Sequence, residues 1–316
     1  MIGLREHSRQ ASGLVGLRPP ASPACRQTRA LAVASGKGGV GKTSIAVNLG
    51  LALARRGTRV LLFDGDLGLA NADVLLGLRP ERTLRDVVVG RCRLSEVLIE
   101  AEAGLHLAPG GSGLAELLHL DEAGRRELLL ELGELERSYD FVLMDLAAGL
   151  GRDVVRLLAH AGEVLVVTTP EPTALTDAYA LVKVAHRGPG DNRFGLVVNL
   201  ANNELDGREA ACRLQRVARA FLDLALPLRG ILPNCAQVPE SVRSQTPTLT
   251  AFPRSPFSVA VRALAGELAG QPEPASQGEG VAALLRAWFA GTGPWRRSRA
   301  VPGAASTGAR REEVNL

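Results

Sequence analysis

The chain has 316 residues, 46% hydrophobic and 22% charged, so it is long enough to bury a large core in one domain or two. Its formal charge is +4, but the tails carry the excess: five Arg and one Glu lie in residues 1–30, and six Arg and four Glu in residues 271–316. The body between them has a net charge of −2, which argues against the broad basic face that sequence-independent DNA binding needs. DNA is therefore not an expected partner.

The cysteines and the hydropathy indicate a cytoplasmic protein. The cysteines form no C-x-x-C pair, which disfavours an iron–sulfur carrier and suits a reducing cytosol. The amino terminus lacks the apolar core and cleavage pattern of a signal peptide, and no stretch reaches the roughly 20 apolar residues of a membrane span. The four cysteines are Cys25, Cys92, Cys212 and Cys235.

Apolar, strand-like runs near residues 30, 60, 105, 141, 164, 195 and 228 alternate with helical stretches. This rhythm predicts an α/β fold at residues 29–270, with a single doubly wound, mostly parallel sheet flanked by helices. Such sheets bind ligands beyond the carboxyl ends of their strands. Outside this domain we expect a flexible segment at 1–28, an amphipathic helix region at 271–299 and a disordered tail at 300–316.

A glycine-rich octapeptide, Gly36-Lys-Gly-Gly-Val-Gly-Lys-Thr43, follows the first apolar run and precedes a helical pattern that Gly57 closes. It fits the phosphate-loop pattern G-x-x-x-x-G-K-[ST], in which Lys42 reaches the terminal phosphates and the Thr43 hydroxyl binds magnesium. The alternative, an incidental glycine turn, does not explain the strand and helix on the correct sides. The predicted phosphate-binding residues are Gly36, Lys37, Gly38, Gly39, Val40, Gly41, Lys42, Thr43 and Ser44.

Lys37 stands where an ordinary phosphate loop requires no lysine, and only three lysines occur in the whole chain. The run Lys37-Gly-Gly-Val-Gly-Lys-Thr43 resembles the deviant Walker A motif of the MinD/ParA family. That resemblance implies a P-loop ATPase that uses ATP and Mg²⁺, and a homodimer in which Lys37 reaches the partner's phosphates. Lys37 and Lys42 are then both predicted catalytic residues.

Two carboxylates spaced by one residue follow the second predicted strand, in the run Asp64-Gly-Asp-Leu-Gly-Leu-Ala-Asn-Ala-Asp73. An acidic turn would also look like this, since Asp and Gly are common turn residues. The run is similar to the family's switch I, and the similarity implies that Asp66 orients the attacking water. Asp64 would hold a magnesium-bound water.

A further apolar run, Tyr139-Asp-Phe-Val-Leu-Met-Asp145, ends in an aspartate and resembles a Walker B strand. By that resemblance Asp145 binds magnesium through water. Leu146 departs from the pattern, because MinD-like relatives carry a small hydroxyl residue after this aspartate. The substitution puts a hydrogen bond toward the metal site in doubt, and a binding protein without turnover stays an alternative.

Other segments resemble the FlhG branch of the family, which regulates flagellar number and placement. They are 68–80, 109–113 and 168–183. Asn199 ends the strand Leu196-Val-Val-Asn199, which resembles the segment whose asparagine reads adenine, although a turn residue would also fit. Pro233, in Gly230-Ile-Leu-Pro233, is similar to the loop that covers the base.

The two tails suggest partners. Gln10-Ala-Ser-Gly-Leu14 resembles the motif by which FlhG stimulates its partner GTPase FlhF, but Arg9 and Val15 depart from it, and a chance match is the alternative. An FlhF-like GTPase and components of the flagellar basal body are thus candidate partners.

Near the carboxyl end, apolar residues follow a helical spacing and precede the basic run Trp295-Arg-Arg-Ser-Arg299. Aromatic residues beside cations are typical of a helix lying on an anionic membrane surface. A terminal helix packed on its own domain would show the same stripe. The stripe consists of Val281, Leu284, Leu285, Trp288 and Phe289.

The sequence thus predicts an ATP-hydrolysing dimerisation switch that positions or counts flagella and lies on the inner face of the cell membrane when ATP-bound. Division-site MinD is the first alternative, and a ParA-type DNA-segregation ATPase is the second.

Overall fold

The computed structural model describes residues 28–66, 71–110, 120–188, 192–271, 282 and 285–286. Eight strands form one sheet in the order β3-β4-β2-β5-β1-β6-β7-β8. Neighbouring strands are parallel, apart from β3 and β4, which are antiparallel. The strands are β1 (Arg29–Ala34), β2 (Val60–Gly65), β3 (Ile99–Glu102), β4 (Leu105–Ala108), β5 (Phe141–Leu146), β6 (Glu163–Thr168), β7 (Arg193–Ala201) and β8 (Leu228–Pro233).

Helices cover both faces of this sheet. Those in the described ranges are α1 (Lys42–Ala54), α2 (Ala72–Leu76), α3 (Leu84–Val88), α4 (Glu122–Glu136), α5 (Arg152–His160), α6 (Pro172–His186), α7 (Glu204–Leu222), α8 (Gln237–Arg243), α9 (Thr248–Ala251) and α10 (Pro256–Gly270), with a 3-10 turn at Leu94–Glu96.

The central strands are almost continuously apolar because each of them supplies both cores. In β1, Leu31 and Val33 pack into the core on one face, and Ala32 and Ala34 into the core on the other. Successive side chains of a strand point to opposite faces, so a sheet covered on both sides needs apolar residues at most positions. The predicted doubly wound, mostly parallel sheet is confirmed.

All seven apolar runs of the sequence form strands, and β3 is the one strand in the described ranges that the sequence did not predict. It has four residues, two of them Glu, and none is fully buried. A short edge strand of this kind carries little hydrophobic signal. The segment Gly230–Pro233, predicted as a loop, lies in β8, so Pro233 ends an edge strand.

The hydrophobic core does not end at residue 270. Leu285 is 2% exposed and lines a small cavity with Phe63 and Leu132, and the Ala282 N–H donates to Glu136 Oε1 over 2.8 Å. The carboxyl-terminal stripe was predicted either to contact a membrane or to pack on its own domain. Leu285 packs on the domain. The other four residues of the stripe lie outside the described ranges.

Candidate functional site

The glycine-rich loop connects β1 to α1 beyond the carboxyl end of β1. Gly39 and Gly41 have φ values of +79° and +83°, in the left-handed region that residues with side chains rarely adopt. Gly36 packs against α6, where an added Cβ would lie 2.2 Å from the Asp177 carbonyl oxygen. The loop therefore follows a tight path that glycine permits at these three positions. Gly38 is exposed at its tip, and Thr43 and Ser44 lie in the first turn of α1.

Lys42, the first residue of α1, is buried with a side-chain exposure of 7%. Its Nζ lies 2.5 Å from Oδ1 of Asp145 on β5, and Asp145 is fully buried. The strand order explains this contact, because β5 is the neighbour of β1 and both strands end at the same edge. A lysine and an aspartate that are 103 residues apart in sequence thus form one buried ion pair.

Asp145 is held in a site that disfavours its charge. Burial raises the pKa of this carboxyl group above its usual range, while the charge of Lys42 and hydrogen bonds from Lys42 and Thr43 oppose that rise. Its second oxygen, Oδ2, is buried and has no hydrogen-bond partner among the described residues. A buried carboxylate oxygen without a partner is costly, so this atom has capacity for a ligand.

Asp64 lies beside Asp145, because the two residues are paired in register between β2 and β5. Burial raises the pKa of Asp64 to about 6, and the negative charge of Asp145 adds to the rise. Its Oδ2 accepts hydrogen bonds from the backbone N–H groups of Asn71 and Ala72, each over 3.0 Å. Asp64 thus also binds the amino-terminal end of α2 through backbone N–H groups, a role that the sequence did not indicate.

Asp66 follows β2 immediately and is partly buried. Its N–H donates to Asp64 Oδ1 over 3.3 Å, and its charge is close enough to raise the pKa of Asp145. All three predicted carboxylates therefore lie in one site with Lys42 and Thr43. Residues 67–70, which continue the predicted switch I, lie outside the described ranges.

Lys37 occupies the outer side of the loop. Its side chain is 39% exposed, and its Nζ lies 2.6 Å from Glu171 Oε2 and 3.1 Å from Thr173 Oγ1. Glu171 precedes α6 and is itself 63% exposed. The two lysines of the loop thus have different environments, one in the core and one at the surface.

Asn199 is buried near the end of β7, with an exposure of 4%. Its Nδ2 donates to the Val40 carbonyl of the loop over 2.8 Å, while its Oδ1 has no partner among the described residues. Pro233 is partly buried at the end of β8, the strand next to β7. The structure thus brings Asn199 to the loop, and it places Pro233 on the neighbouring strand.

Comparison with known proteins identifies the family. The AAA domain family matches residues 28–187. The antiactivator FleN of Pseudomonas aeruginosa is 44% identical over 246 residues, which cover 78% of this chain and 88% of FleN. The chain belongs to the MinD/ParA family. The flagellum site-determining protein YlxH of Helicobacter pylori is 34% identical, covering 78% of this chain and 83% of YlxH. These relatives confirm the resemblance to the FlhG branch.

Solved structures agree with this family. The cell division ATPase MinD of Pyrococcus furiosus superposes with a TM-score of 0.64 at 29% identity, covering 76% of this chain and 98% of that protein. MinD of Pyrococcus horikoshii, solved with Mg-ADP, gives a TM-score of 0.64 at 29% identity, covering 77% of this chain and 98% of that protein. The chain is an ATPase that uses ATP and Mg²⁺.

The residues of this MinD/ParA site fit the metal and the nucleotide. Mg²⁺ prefers oxygen ligands, and the site offers the Thr43 hydroxyl, the Asp64 carboxylate and Asp145 Oδ2, which has no partner within the described ranges. A cation there would also offset the burial that raises the pKa of both aspartates. The loop and the amino terminus of α1 supply backbone N–H groups for phosphate oxygens.

Leu146 has no side-chain hydroxyl to donate a hydrogen bond toward the metal site. It is 1% exposed, ends β5 and packs in the core. It therefore replaces the family's hydroxyl residue with a core contact and leaves the carboxylates of Asp64 and Asp145 in place.

Two residues that sequence reasoning missed are Glu171 and Thr173, the partners of Lys37. They lie within the segment 168–183 that supported the family resemblance, but no spacing rule connects them to a loop more than 130 residues earlier. No helix in the described ranges is long and apolar enough to cross a membrane.

Proposed function

We propose that the chain is an ATP-hydrolysing dimerisation switch that sets the number or position of flagella. The observation that carries the proposal is the division of the loop into a buried lysine on Asp145 and an exposed lysine on Glu171. The names of FleN and YlxH support the flagellar role. Residues 29–270, with the packed residues Ala282 and Leu285, form the proposed ATPase domain.

The buried end of the loop is the proposed centre of the reaction. Lys42 would exchange its contact with Asp145 for the terminal phosphates, which would leave both Asp145 oxygens for the metal side of the site. Thr43 would bind Mg²⁺, Asp145 would bind it through water, and Asp64 would hold a water of its shell. When bound, Mg²⁺ would neutralise the negative charge that develops on the phosphate oxygens. Asp66 would orient the water that attacks.

The exposed end of the loop is the proposed link between two copies. Lys37 is held by one ion pair and one hydroxyl at the surface, and such exposed pairs contribute less than about 1 kcal/mol. Lys37 can therefore leave Glu171 at little cost and reach the phosphates of a second copy. Hydrolysis would remove the group that Lys37 binds and so end the dimer.

Asn199 and Pro233 are the proposed base-binding residues. Asn199 Oδ1, which has no partner in the described part of the chain, is an acceptor that matches the amino group of adenine. Pro233 would pack against the base from the end of β8.

The proposed partners other than a second copy are an FlhF-like GTPase and flagellar basal-body components. The motif Gln10–Leu14 that suggests the GTPase lies outside the described residues. A direct test is to add the GTPase to the full chain and to a variant lacking residues 1–20. If the full chain accelerates GTP hydrolysis and the truncated variant does not, the contact is supported. Equal GTP hydrolysis rates with the two proteins contradict it.

Attachment to an anionic membrane surface in the ATP-bound state is the last part of the proposal. Leu285 is in the core, so the proposed lipid contacts come from the other four residues of the stripe and from the basic run 295–299. The test is co-sedimentation with anionic and with neutral liposomes, in ATP and in ADP, using Trp288→Glu. Leu285→Glu is unsuitable because it would place a charge in the core.

The function itself is tested in cells that lack their own FleN-type regulator. Expression of the chain is expected to restore flagellar number or position. The Asp66→Ala variant, whose ATP-bound dimer should persist, is expected to fail to restore either. Restored placement of the division septum, without an effect on flagella, would favour the division-site alternative. That alternative is supported by MinD of Bacillus subtilis, which is 30% identical over 82% of this chain and 97% of MinD.

A further inference from the structure

A buried amide ties β7 to the middle of the phosphate loop. Asn199 is 4% exposed, and its Nδ2 donates to the Val40 carbonyl oxygen over 2.8 Å. The two residues are 159 positions apart, and β6 separates their strands in the sheet, so the bond joins elements that do not pair directly. Val40 is itself 3% exposed, so the bond lies inside the protein.

The next residue of the loop is fitted to the same amide. Gly41 has a φ of +83°, and a Cβ there would lie 2.5 Å from Asn199 Nδ2. The amide group therefore fills the space on one side of the peptide that joins Val40 to Gly41. The absence of a side chain at Gly41 allows this close contact just before Lys42 begins α1.

Fixing the Val40 carbonyl also fixes a donor of the loop. In a planar trans peptide the carbonyl oxygen and the N–H of the following residue point in opposite directions. Because Asn199 holds the Val40 oxygen, the Gly41 N–H is directed away from Asn199 and cannot rotate freely. Loop N–H groups are the donors that bind phosphate oxygens, so their direction before binding affects affinity.

We propose that Asn199 is a positioning residue for the phosphate loop, and that it strengthens binding of any polyphosphate, whether or not a base is attached. This inference rests on the nucleotide site of the proposed function and concerns the Nδ2 end of the amide. Base reading would use the other end, Oδ1, which has no partner among the described residues.

The variant Asn199→Asp separates the two ends of the amide. Aspartate keeps acceptors for a base but has no N–H to donate to the Val40 carbonyl. The probe is Mg²⁺-tripolyphosphate, which has no base, compared with Mg²⁺-ATP by titration calorimetry on the full chain. We expect Asn199→Asp to weaken both ligands by at least roughly tenfold, because it loses one buried hydrogen bond and adds a negative charge near the phosphates. Asn199→Ala, which buries no charge, is expected to weaken tripolyphosphate by a similar factor.

The chain offers a matched control in Asn203→Asp. Asn203 is exposed, and its side chain accepts from the Asp206 N–H at the start of α7, a role that aspartate also fills. This variant is expected to bind tripolyphosphate within about twofold of wild type. The melting temperatures of all variants show whether a loss comes from unfolding.

A local measurement distinguishes positioning from general destabilisation. Without ligand, amide hydrogen exchange in residues 36–43 is expected to be faster in both Asn199 variants, with no change in β2 and β5. Equal acceleration across the sheet would indicate destabilisation and overturn the proposal.

Weaker ATP binding with unchanged tripolyphosphate binding would assign Asn199 to the base alone and overturn the proposal, while leaving the nucleotide site intact. If wild type bound neither ligand, the proposed function itself would fail.

Discussion

The phosphate loop has two lysines that differ in almost every physical respect. Lys42 is 7% exposed and lies 2.5 Å from a fully buried aspartate on a neighbouring strand. Lys37 is 39% exposed and pairs with Glu171, which is 63% exposed. The first is fixed by the strand order of the sheet, and the second is held by groups that water can replace.

This difference shows how one loop can serve two purposes. A buried charge needs its partner, because loss of the pair leaves the other charge without compensation. An exposed pair is weak and screened by solvent, so its lysine can change partners. The lysine for the chain's own site is therefore buried, and the lysine proposed to act on a second copy is exposed.

The largest expected effect comes from Lys42→Ala. Asp145 would lose its buried cation, and we expect the free energy of unfolding without ligand to fall by about 3 kcal/mol, less any relief from protonation of Asp145. ATP affinity should fall by about a hundredfold, since a charge-assisted contact to the phosphates is lost. Chemical denaturation and calorimetry measure both quantities.

Lys183→Ala is the control for this prediction, because Lys183 is the remaining lysine of the chain and lies on α6, with no ion pair among the described residues. A normal stability in Lys42→Ala would show that the ion pair with Asp145 does not stabilise the protein in solution.

Lys37→Ala should change stability by less than about 1 kcal/mol and ATP affinity by less than about fivefold, because its pair is exposed. The Lys37→Ala substitution should nevertheless abolish ATP-dependent dimerisation and ATP hydrolysis. Light scattering after gel filtration with a non-hydrolysable ATP analogue is the measurement, and Arg208→Ala, which removes the exposed ion pair with Glu204, is the control. A normal dimer in Lys37→Ala would contradict the division of roles between the two lysines.

Asp66→Ala affects neither lysine and so tests turnover alone. Lys42, Thr43 and Asp145 would still bind the ligands, so we expect normal ATP affinity, a turnover at least about a hundredfold lower and a persistent ATP-bound dimer. Phosphate release and gel filtration provide the two readouts. Asp73→Ala, which removes a carboxylate from the following helix α2, should behave as wild type. Turnover near normal in Asp66→Ala would remove Asp66 from the mechanism.

Much of this arrangement could be predicted from the sequence, because its signals are local or periodic. The seven strands were visible as apolar runs, since strands buried on both faces are apolar at nearly every position. The loop was visible because glycine and lysine spacing reflects backbone geometry within eight residues. Both signals concern residues close together in the chain.

The remainder depends on distant contacts that have no spacing rule. The sequence offered Asn199 as a base-reading residue, but the direction of its Nδ2 toward Val40 depends on the position of β7 relative to the loop. It left Leu285 either in contact with a membrane or packed on the domain, because an apolar stripe looks the same on lipid and on a protein core. It showed Asp64 only as a metal-site carboxylate, because its bonds to α2 depend on the fold.

The smallest expected effect concerns Asp64, which is buried and forms no ion pair with a lysine within the described part of the chain. Its folded pKa, about 6, lies above the ordinary value, so the folded protein binds more protons than the unfolded chain between about pH 4 and 6. The contribution of Asp64 to stability therefore falls as pH rises through that window. Asp64→Asn removes this titration, so its unfolding free energy relative to wild type should rise by about 1–2 kcal/mol from pH 4.5 to pH 7.5 without ligand.

The direction of this change depends on burial, which raises the pKa of Asp64. The backbone N–H groups of Asn71 and Ala72 lower that pKa, but burial has the larger effect. Denaturation at both pH values measures the difference, with Asp73→Asn as the control. A relative stability that falls with pH would mean that the hydrogen bonds outweigh burial and that Asp64 is ionised in the folded protein well below pH 6.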